Sequence, residues 1–218
     1  MAKIDLADYN YHLPKELIAQ KACHPKDQCR LMVLHGRRIE HKKFYQIINY
    51  LEPEDVLVLN ETKVRKCKLL GKKETGGKVE IILVKEVFDW DKNCYECRIK
   101  GRNLKEGTKL IFQKNNGEII KKEDDIFYVT FKPRMNEEEC TLLTPPYLKT
   151  IVPEKDYQTI FARNAGSLAA PTAGLHFTSE LLKKIEQKGV KIAKINLNIS
   201  YETFLPVRDI TNHQTGKE

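Results

Sequence analysis

His176 follows a run of mostly small residues that covers positions 164–175. Small side chains allow a ligand or a second backbone to approach closely. The run contains Ala170, Pro171, Thr172 and Gly174. Pro171 lacks a backbone donor and fixes one φ angle, which excludes a helix interior or a central strand. Such a loop, with a titratable imidazole just before a helix N-terminus, is suited to holding a polar or anionic ligand. A tight structural loop with a hydrogen-bonded core histidine is an alternative of equal weight.

Two other segments carry side chains that bind charged or hydrogen-bonding ligands. Asp27 and Arg30 lie in a polar loop before a strand, where Arg30 can grip a carboxylate or a phosphate. A local Asp–Arg ion pair is the slightly favoured alternative. Asn60, Thr62 and Lys63 follow an apolar strand, and open α/β sheets bind ligands at the carboxyl ends of their strands. An ordinary turn between two domains explains these three residues equally well.

Two further segments give weaker signals. Thr75, Gly76 and Gly77 are typical of a hairpin turn, which is the better interpretation of these residues taken alone. Lys100 and Arg102 flank a glycine in a basic segment consistent with a phosphate contact. The sequence contains no P-loop, no glycine-rich dinucleotide motif and no serine-hydrolase elbow.

The composition is that of a folded, basic protein. Of the 218 residues, 31% are charged and 41% are hydrophobic, which excludes wholesale disorder. The net charge of +8 favours a polyanionic partner such as nucleic acid. No apolar run reaches the roughly 18 residues of a membrane span, and the N-terminus lacks a signal-peptide layout. We therefore expect a cytoplasmic protein that does not associate with membranes.

The six cysteines give no firm metal signal. Cys94 and Cys97 have the spacing of zinc ligands, but no second pair of that spacing follows. Alternation around them favours a strand instead. Cys23, His24 and Cys29 form a second loose group that leads to the same conclusion. We expect no metal site.

The predicted elements change in type along the chain. The first part predicts a helix over 15–21 with Leu17 and Ile18 facing inward, strands over 31–35 and 38–41, a helix over 42–51, and a buried strand over 55–60. Six short strands follow, over 68–71, 78–87, 94–100, 108–113, 119–122 and 126–131, with a hairpin turn at Asn116–Gly117. After His176 we predict a helix that Thr178 or Ser179 caps and Gly189 ends, then a strand over 191–199.

This order predicts two structural units. Strand–helix–strand patterns at both ends are typical of an α/β domain, whereas closely spaced strands without helices are typical of a small antiparallel barrel. We therefore predict a discontinuous α/β domain from residues 1–64 and 148–218, with an inserted antiparallel β-barrel-like domain over 65–147.

The exact sequence around His176 is more specific than its general physical features. Residues 169–178, preceded by 157–159, closely resemble the signature of the S-adenosylmethionine:tRNA ribosyltransferase-isomerase family of queuosine biosynthesis. Segments 8–20, 26–31, 55–64 and 75–84 are similar to the family in the same order. Lys26 and Cys29 stand where the family has Arg and Ser. The resemblance covers essentially the whole chain.

The resemblance implies transfer of the ribosyl part of S-adenosylmethionine, a co-substrate, to 7-aminomethyl-7-deazaguanine in the tRNA anticodon loop. Epoxyqueuosine forms, and adenine and methionine leave. It implies that His176 is the base or a group that holds adenine, and that Lys100 and Arg102 contact RNA. It implies substrate-binding roles for Asp27, Arg30, Asn60, Thr62, Lys63, Thr75, Gly76, Gly77, Tyr157, Gln158, Ala170, Pro171, Thr172 and Gly174.

Two family motifs are altered near the C-terminus. In Leu197–Phe204 the family's His is Asn198 and both of its glycines are replaced, and 215–218 lacks another His. The family continues for roughly another hundred residues, the size of a further half-domain. One alternative is therefore a truncated, non-catalytic RNA- or nucleoside-binding relative that needs a missing half or a partner. A different adenosyl-nucleoside enzyme on the same scaffold is another. A missing half would expose apolar sheet surface, which favours self-association.

Overall fold

A six-stranded antiparallel barrel and two pairs of parallel strands form the framework of the computed structural model, which describes residues 5–87 and 93–205. The strands, in chain order, are β1 (Arg30–His35), β2 (Arg38–Lys43), β3 (Val56–Asn60), β4 (Thr62–Val64), β5 (Lys68–Lys73), β6 (Lys78–Val87), β7 (Cys94–Lys100), β8 (Lys109–Ile111), β9 (Asn116–Glu123), β10 (Ile126–Lys132), β11 (Asn164–Ser167) and β12 (Lys191–Ile195). The α-helix of the described residues, α1, spans Ser179–Gln187. Short 3₁₀-helices span Leu6–Tyr9, Lys15–Leu17, Lys26–Gln28, Phe44–Tyr50, Glu137–Glu139, Glu154–Asp156, Thr172–His176 and Tyr201–Phe204.

The barrel closes in the order β10-β7-β6-β5-β8-β9, with every neighbouring pair antiparallel. Its interior holds fully buried aliphatic and aromatic side chains such as Ile81, Leu83, Ile119 and Phe131. The predicted barrel is confirmed, and β6 and β7 begin and end at the predicted residues. The predicted limits of the two domains stay a prediction.

The predicted hairpin turn at Asn116–Gly117 is wrong. Both residues lie in β9, where Asn116 is opposite Ile111 and Gly117 is opposite Leu110. The chain reverses just before them, because the amide of Phe112 donates to the carbonyl of Asn115.

The remaining parts form the α/β region. β3 runs parallel to β12, and β4 runs parallel to β11. Helix α1 buries Leu181 and Ile185 against a cluster that includes Phe44 and Phe177. This mixture of parallel strands, α1 and barrel confirms the predicted fold class.

Three predictions in the first part of the chain need correction. The helix predicted over 42–51 is a 3₁₀-helix over Phe44–Tyr50, because β2 continues as far as Lys43. Leu17 is 67% exposed instead of facing inward. Strand β3 is buried on one face only, since Val56 is 57% and Val58 is 53% exposed. The open face of β3 is apolar, and self-association through it stays a prediction.

Candidate functional site around His176

A cavity of about 620 Å³ lies beside His176. Three stretches of chain line it, drawn from residues 19–29, 145–157 and 172–176. A cavity of this size can hold a nucleoside-sized ligand, because small-molecule sites in proteins range from about 300 to 1,000 Å³. The imidazole therefore borders a cavity and is not sealed inside an apolar core.

The fold holds the His176 ring between a short helix and an aromatic cluster. His176 ends the 3₁₀-helix Thr172–His176, and Phe177 directly after it is buried. The His176 and Phe44 ring centroids are 5.2 Å apart, and Phe44 also meets Phe177 edge to face at 5.0 Å. The predicted cap of α1 is confirmed for Thr178, whose hydroxyl accepts from the Leu181 amide at 3.2 Å. One face of the imidazole is thus fixed by packing.

A thiol is hydrogen-bonded to one nitrogen of this imidazole. Cys29 Sγ lies 3.1 Å from His176 Nδ1, and the tautomer decides which of the two atoms donates the hydrogen. Burial, followed by the positive charge of Lys26, lowers the pKa of His176. Burial is also the main reason that the pKa of Cys29 is raised. The pair is therefore a neutral thiol and a neutral imidazole at pH 7, and Nε2 is the nitrogen without a hydrogen-bond partner in the described residues.

We expect that replacing Cys29 with alanine raises the pKa of His176 toward its ordinary value. The substitution removes the thiol from Nδ1 and admits water, so the charged imidazolium becomes less costly. Cys29→Ser keeps a hydrogen-bonding group and should move this pKa less than Cys29→Ala. NMR titration of the imidazole measures the difference. Equal pKa values in the wild type and both variants would show that Cys29 does not set the state of His176.

Asp27 contacts the start of α1, close to His176 in the sequence. Its Oδ2 accepts from the Thr178 hydroxyl at 3.0 Å, so it orders the residue that caps α1. The alternative of a local Asp27–Arg30 ion pair is wrong, because no such pair occurs among the described residues. Arg30 is exposed at the start of β1, and its side chain has no hydrogen bond or ion pair within the described residues.

Tyr157 and Gln158 connect the cavity wall to β4. Tyr157 is buried, lines the cavity and packs with Val64 and Ala170. The Gln158 side chain brackets the backbone of Val64, donating through Nε2 to its carbonyl at 2.7 Å and accepting through Oε1 from its amide at 3.1 Å. Gln158 therefore fixes the backbone of β4, against which the cavity-lining Tyr157 packs.

The small residues before His176 are needed for packing as well as for access. A Cβ on Gly174 would lie 3.0 Å from atoms of both Phe161 and Thr159. The Gly174 amide donates to the carbonyl of Pro171 at 2.8 Å, which closes the short helix. Thr172 lines the cavity. This stretch therefore combines a tight structural turn with one wall of a cavity.

Asn60 and Thr62 hold the segment that follows β12 and do not line the cavity. The Asn60 amide donates to the carbonyl of Leu197 at 2.9 Å and accepts from its backbone amide at 3.1 Å. Thr62 is fully buried, and its hydroxyl lies 2.9 Å from both Ser167 Oγ and Asn198 Oδ1. The polar atoms of Asn60 and Thr62 therefore make hydrogen bonds within the chain.

Lys63 and Gly166 lie on the β4–β11 pair. Lys63 is exposed on β4 and is paired in register with Ala165. A Cβ on Gly166 would lie only 2.5 Å from Asn198 Oδ1, so a larger residue here would require the Asn198 side chain to move.

The glycine turn and the basic segment meet at one end of the barrel, away from the lining of the His176 cavity. Thr75, Gly76 and Gly77 form the turn between β5 and β6, and Gly76 takes a positive φ of 89°. The Lys73 ammonium donates to the carbonyl of Arg102 at 3.0 Å, which joins this hairpin to the loop after Lys100.

A second cavity, of about 540 Å³, lies between the barrel and the Tyr201–Phe204 helix. Lys100 contributes to its wall, together with Lys68, Glu80 and Arg98. The Arg98 guanidinium lies 2.7 Å from Asp125 and 3.6 Å from Glu202, so its charge is already balanced. The altered motif 215–218 falls outside the described residues.

Sequence reasoning assigned Tyr157, Thr172 and His176 to a site but missed most of the cavity lining, including Lys26, Cys29, Tyr147 and Asp156. Lys26 and Cys29 belong to the segment 26–31 that carried part of the resemblance, which was the available signal. Asp156 precedes the matched segment 157–159, and nothing in its own context marks it. No group of three or more His, Cys, Asp or Glu suited to a metal occurs among residues 5–87 and 93–205. In the same residues, no helix has the length and apolar character to cross a membrane.

The family model described as "Queuosine biosynthesis protein" matches residues 6–218. The chain belongs to this family. It is 44% identical over 238 residues to the S-adenosylmethionine:tRNA ribosyltransferase-isomerase of a Sulfurihydrogenibium species, covering 98% of this chain and 67% of that protein. It is 43% identical over 222 residues to the protein of the same name from Thermosipho melanesiensis, covering 98% of this chain and 66% of the relative.

The chain spans 66% of the length of the Thermotoga petrophila relative, to which it is 40% identical over 223 residues. It is also 32% identical to a solved structure, the S-adenosylmethionine tRNA ribosyltransferase of Thermotoga maritima, over 88% of this chain and 58% of that one. The TM-score is 0.37.

Proposed function

We propose that this chain acts as an S-adenosylmethionine:tRNA ribosyltransferase-isomerase. The reaction moves the ribosyl part of S-adenosylmethionine to 7-aminomethyl-7-deazaguanine in the tRNA anticodon loop and gives epoxyqueuosine. The observation that carries the proposal is the position of the His176 imidazole at the wall of a cavity of about 620 Å³. Part of its lining, including Lys26, Cys29, Thr172 and His176, comes from segments that carry the family resemblance.

The chemistry needs a base that is neutral near pH 7. The sulfonium of S-adenosylmethionine acidifies the neighbouring ribose C5′–H, and a positioned imidazole can take that proton. For Nε2 to accept it, Nδ1 must carry the hydrogen and donate to Cys29 Sγ, which the 3.1 Å contact permits. The lowered pKa of His176 keeps the ring ready to accept a proton.

The basic end of the barrel supports the RNA part of the proposal. Lys72 lies directly opposite Lys78 in the β5–β6 register, and both are exposed. Like charges facing each other across two strands repel, and an anion between them relieves that repulsion. Lys100 and Arg102 lie in the adjoining segment. Together these four cations form a surface suited to phosphates, while the target base is splayed out for reaction.

A second candidate is a relative that binds the nucleoside or RNA without catalysis. Asn198 favours it, because an amide cannot exchange a proton as the family's histidine can. In this chain Asn198 accepts a hydrogen bond from Thr62 at 2.9 Å. The two candidates share the cavity and differ in turnover.

Calorimetry and adenine release together test the proposal. We expect S-adenosylmethionine to bind, and adenine to be released when tRNA carrying 7-aminomethyl-7-deazaguanine is added. Binding without adenine release would support the second candidate. The absence of heat and of any thermal shift at millimolar S-adenosylmethionine would overturn both the enzymatic proposal and the nucleoside-binding alternative.

The RNA surface is tested separately by salt dependence. Replacing Lys100 or Arg102 with alanine should weaken tRNA binding and reduce the slope of log K against log salt by about one for each lost phosphate contact. Lys183→Ala removes the same charge from an exposed position on α1 and serves as the control. An equal effect of all three substitutions would point to net charge alone and not to this surface.

A further inference from the structure

Two opposite charges face the His176 cavity without forming an ion pair with each other. They belong to Lys26 and Asp156, and both residues line the cavity. Among the described residues, the ion pairs of Asp156 include His24 but not Lys26. Their charges still influence each other, since Asp156 raises the pKa of Lys26 against the larger lowering caused by burial. Both charged groups therefore border the same cavity.

The Lys26 ammonium is held in place by two hydrogen bonds and can donate a third. Its Nζ donates to the carbonyls of Lys155 at 2.9 Å and Gln158 at 3.1 Å. An ammonium has three donors, so one N–H remains. Two carbonyls hold the group in place without neutralising it, and a carboxylate is the ligand group that completes both its charge and its hydrogen bonds.

The Asp156 carboxylate is the complementary feature. Its side chain is 11% exposed, and Oδ1 is buried without a hydrogen-bond partner in the described residues. His24 Nε2 lies 3.2 Å from this oxygen but lacks the geometry of a hydrogen bond, and the His24 side chain is 58% exposed. A buried carboxylate oxygen left in this state is costly unless a donor reaches it.

Besides these charges and His24, the wall includes apolar side chains. Leu148, Ile151, Val152 and Leu175 line the same cavity. Lys26 and Asp156 place a cation and an anion on the wall of the same cavity. These match the two charges of an α-amino acid, whose carboxylate and ammonium are attached to a single carbon.

We propose that Lys26 and Asp156 form the subsite for the α-amino acid end of an S-adenosyl amino acid. Lys26 receives the carboxylate and Asp156 receives the ammonium, which leaves the remaining cavity beside His176 for the adenosyl part. This inference rests on the proposed function, because it assigns one end of the co-substrate to one part of the cavity.

Ligand truncation separates this subsite from a structural role. S-adenosylhomocysteine carries the amino acid end, and 5′-methylthioadenosine keeps the thioether and the nucleoside but lacks it. Wild-type protein should bind S-adenosylhomocysteine at least about tenfold more tightly by calorimetry, the discrimination expected from charge-assisted hydrogen bonds. Equal affinity for the two ligands would overturn the subsite without any variant being made.

Substitutions then assign the effect to residues. Lys26→Met and Asp156→Asn should each weaken S-adenosylhomocysteine about 10- to 100-fold and change 5′-methylthioadenosine by less than about threefold. Lys155→Met, an exposed neighbour that does not line the cavity, is the matched control. Equal weakening of both ligands, or no weakening, would overturn the subsite alone. Wild-type protein that binds neither ligand would overturn the proposed function as well.

Discussion

Replacing His176 with glutamine should lower the rate of adenine release about 10²- to 10⁴-fold, the range of a lost general base. Affinity for S-adenosylmethionine should stay within about threefold, because glutamine keeps a polar group of similar reach. Single-turnover measurements with modified tRNA give the rate, and calorimetry gives the affinity. Wild-type rates in His176→Gln would remove His176 from the chemistry and leave it as part of the cavity wall.

The pH dependence provides an independent check on the same residue. Burial and Lys26 lower the pKa of His176, so the neutral ring persists below the ordinary histidine value of about 6.5. The wild-type rate should therefore hold as pH falls to about 6.5 and decline only at lower pH. His176→Gln should lack that decline. A wild-type decline centred above pH 7 would assign the acid limb to another group.

Phe177→Ala should lower the free energy of unfolding by about 3–5 kcal/mol, as expected for a large aromatic side chain removed from a core. Phe177 is 5% exposed and contacts two other rings, with centroids 5.0 Å from Phe44 and 6.4 Å from Phe161. Its loss would leave a cavity directly behind His176. Urea denaturation monitored by circular dichroism measures the change.

Two controls accompany this substitution. Phe177→Leu keeps most of the apolar volume and should cost less than Phe177→Ala. Tyr11→Ala removes an aromatic ring that is 73% exposed, and it should change stability by no more than about 0.5 kcal/mol. A Phe177→Ala effect as small as that of Tyr11→Ala would mean that the aromatic cluster does not support the site.

The barrel could be predicted because its strands carry local signals. Gly77 precedes β6 and Gly101 follows β7, and these two glycines mark the corresponding strand ends correctly. Gly117 misled the prediction because it serves packing. A Cβ there would lie 3.1 Å from Val129 and 3.3 Å from Phe131 inside the barrel. Sequence shows that a glycine is present but not which of its two uses applies.

The exposed face of β3 shows a second limit of prediction. An apolar run indicates that Val56 and Val58 prefer burial, but it does not say what covers them. In the structure β3 pairs with β12, and these two valines are more than half exposed. Which elements pack on a strand depends on the rest of the fold, so the strand is predicted correctly and its burial on both faces is not.

Some residues of the candidate site could be identified from the sequence and others could not. His176 could be identified because a small-residue loop and a helix cap surround it. Lys26 and Asp156 could not, because lysine and aspartate are ordinary surface residues. They come together only in the fold, where Lys26 bonds the backbone of Lys155, 129 positions away. Asn60 and Thr62 had plausible ligand-binding chemistry, but the fold uses their polar atoms to hold residues 197 and 198.

The most direct test of the central claim is a crystal structure of this chain with S-adenosylhomocysteine. The ligand should occupy the cavity beside His176, with its carboxylate at Lys26, its ammonium at Asp156 and its ribose within reach of the imidazole. Density in the cavity between the barrel and Tyr201–Phe204, with the His176 cavity empty of ligand, would contradict it.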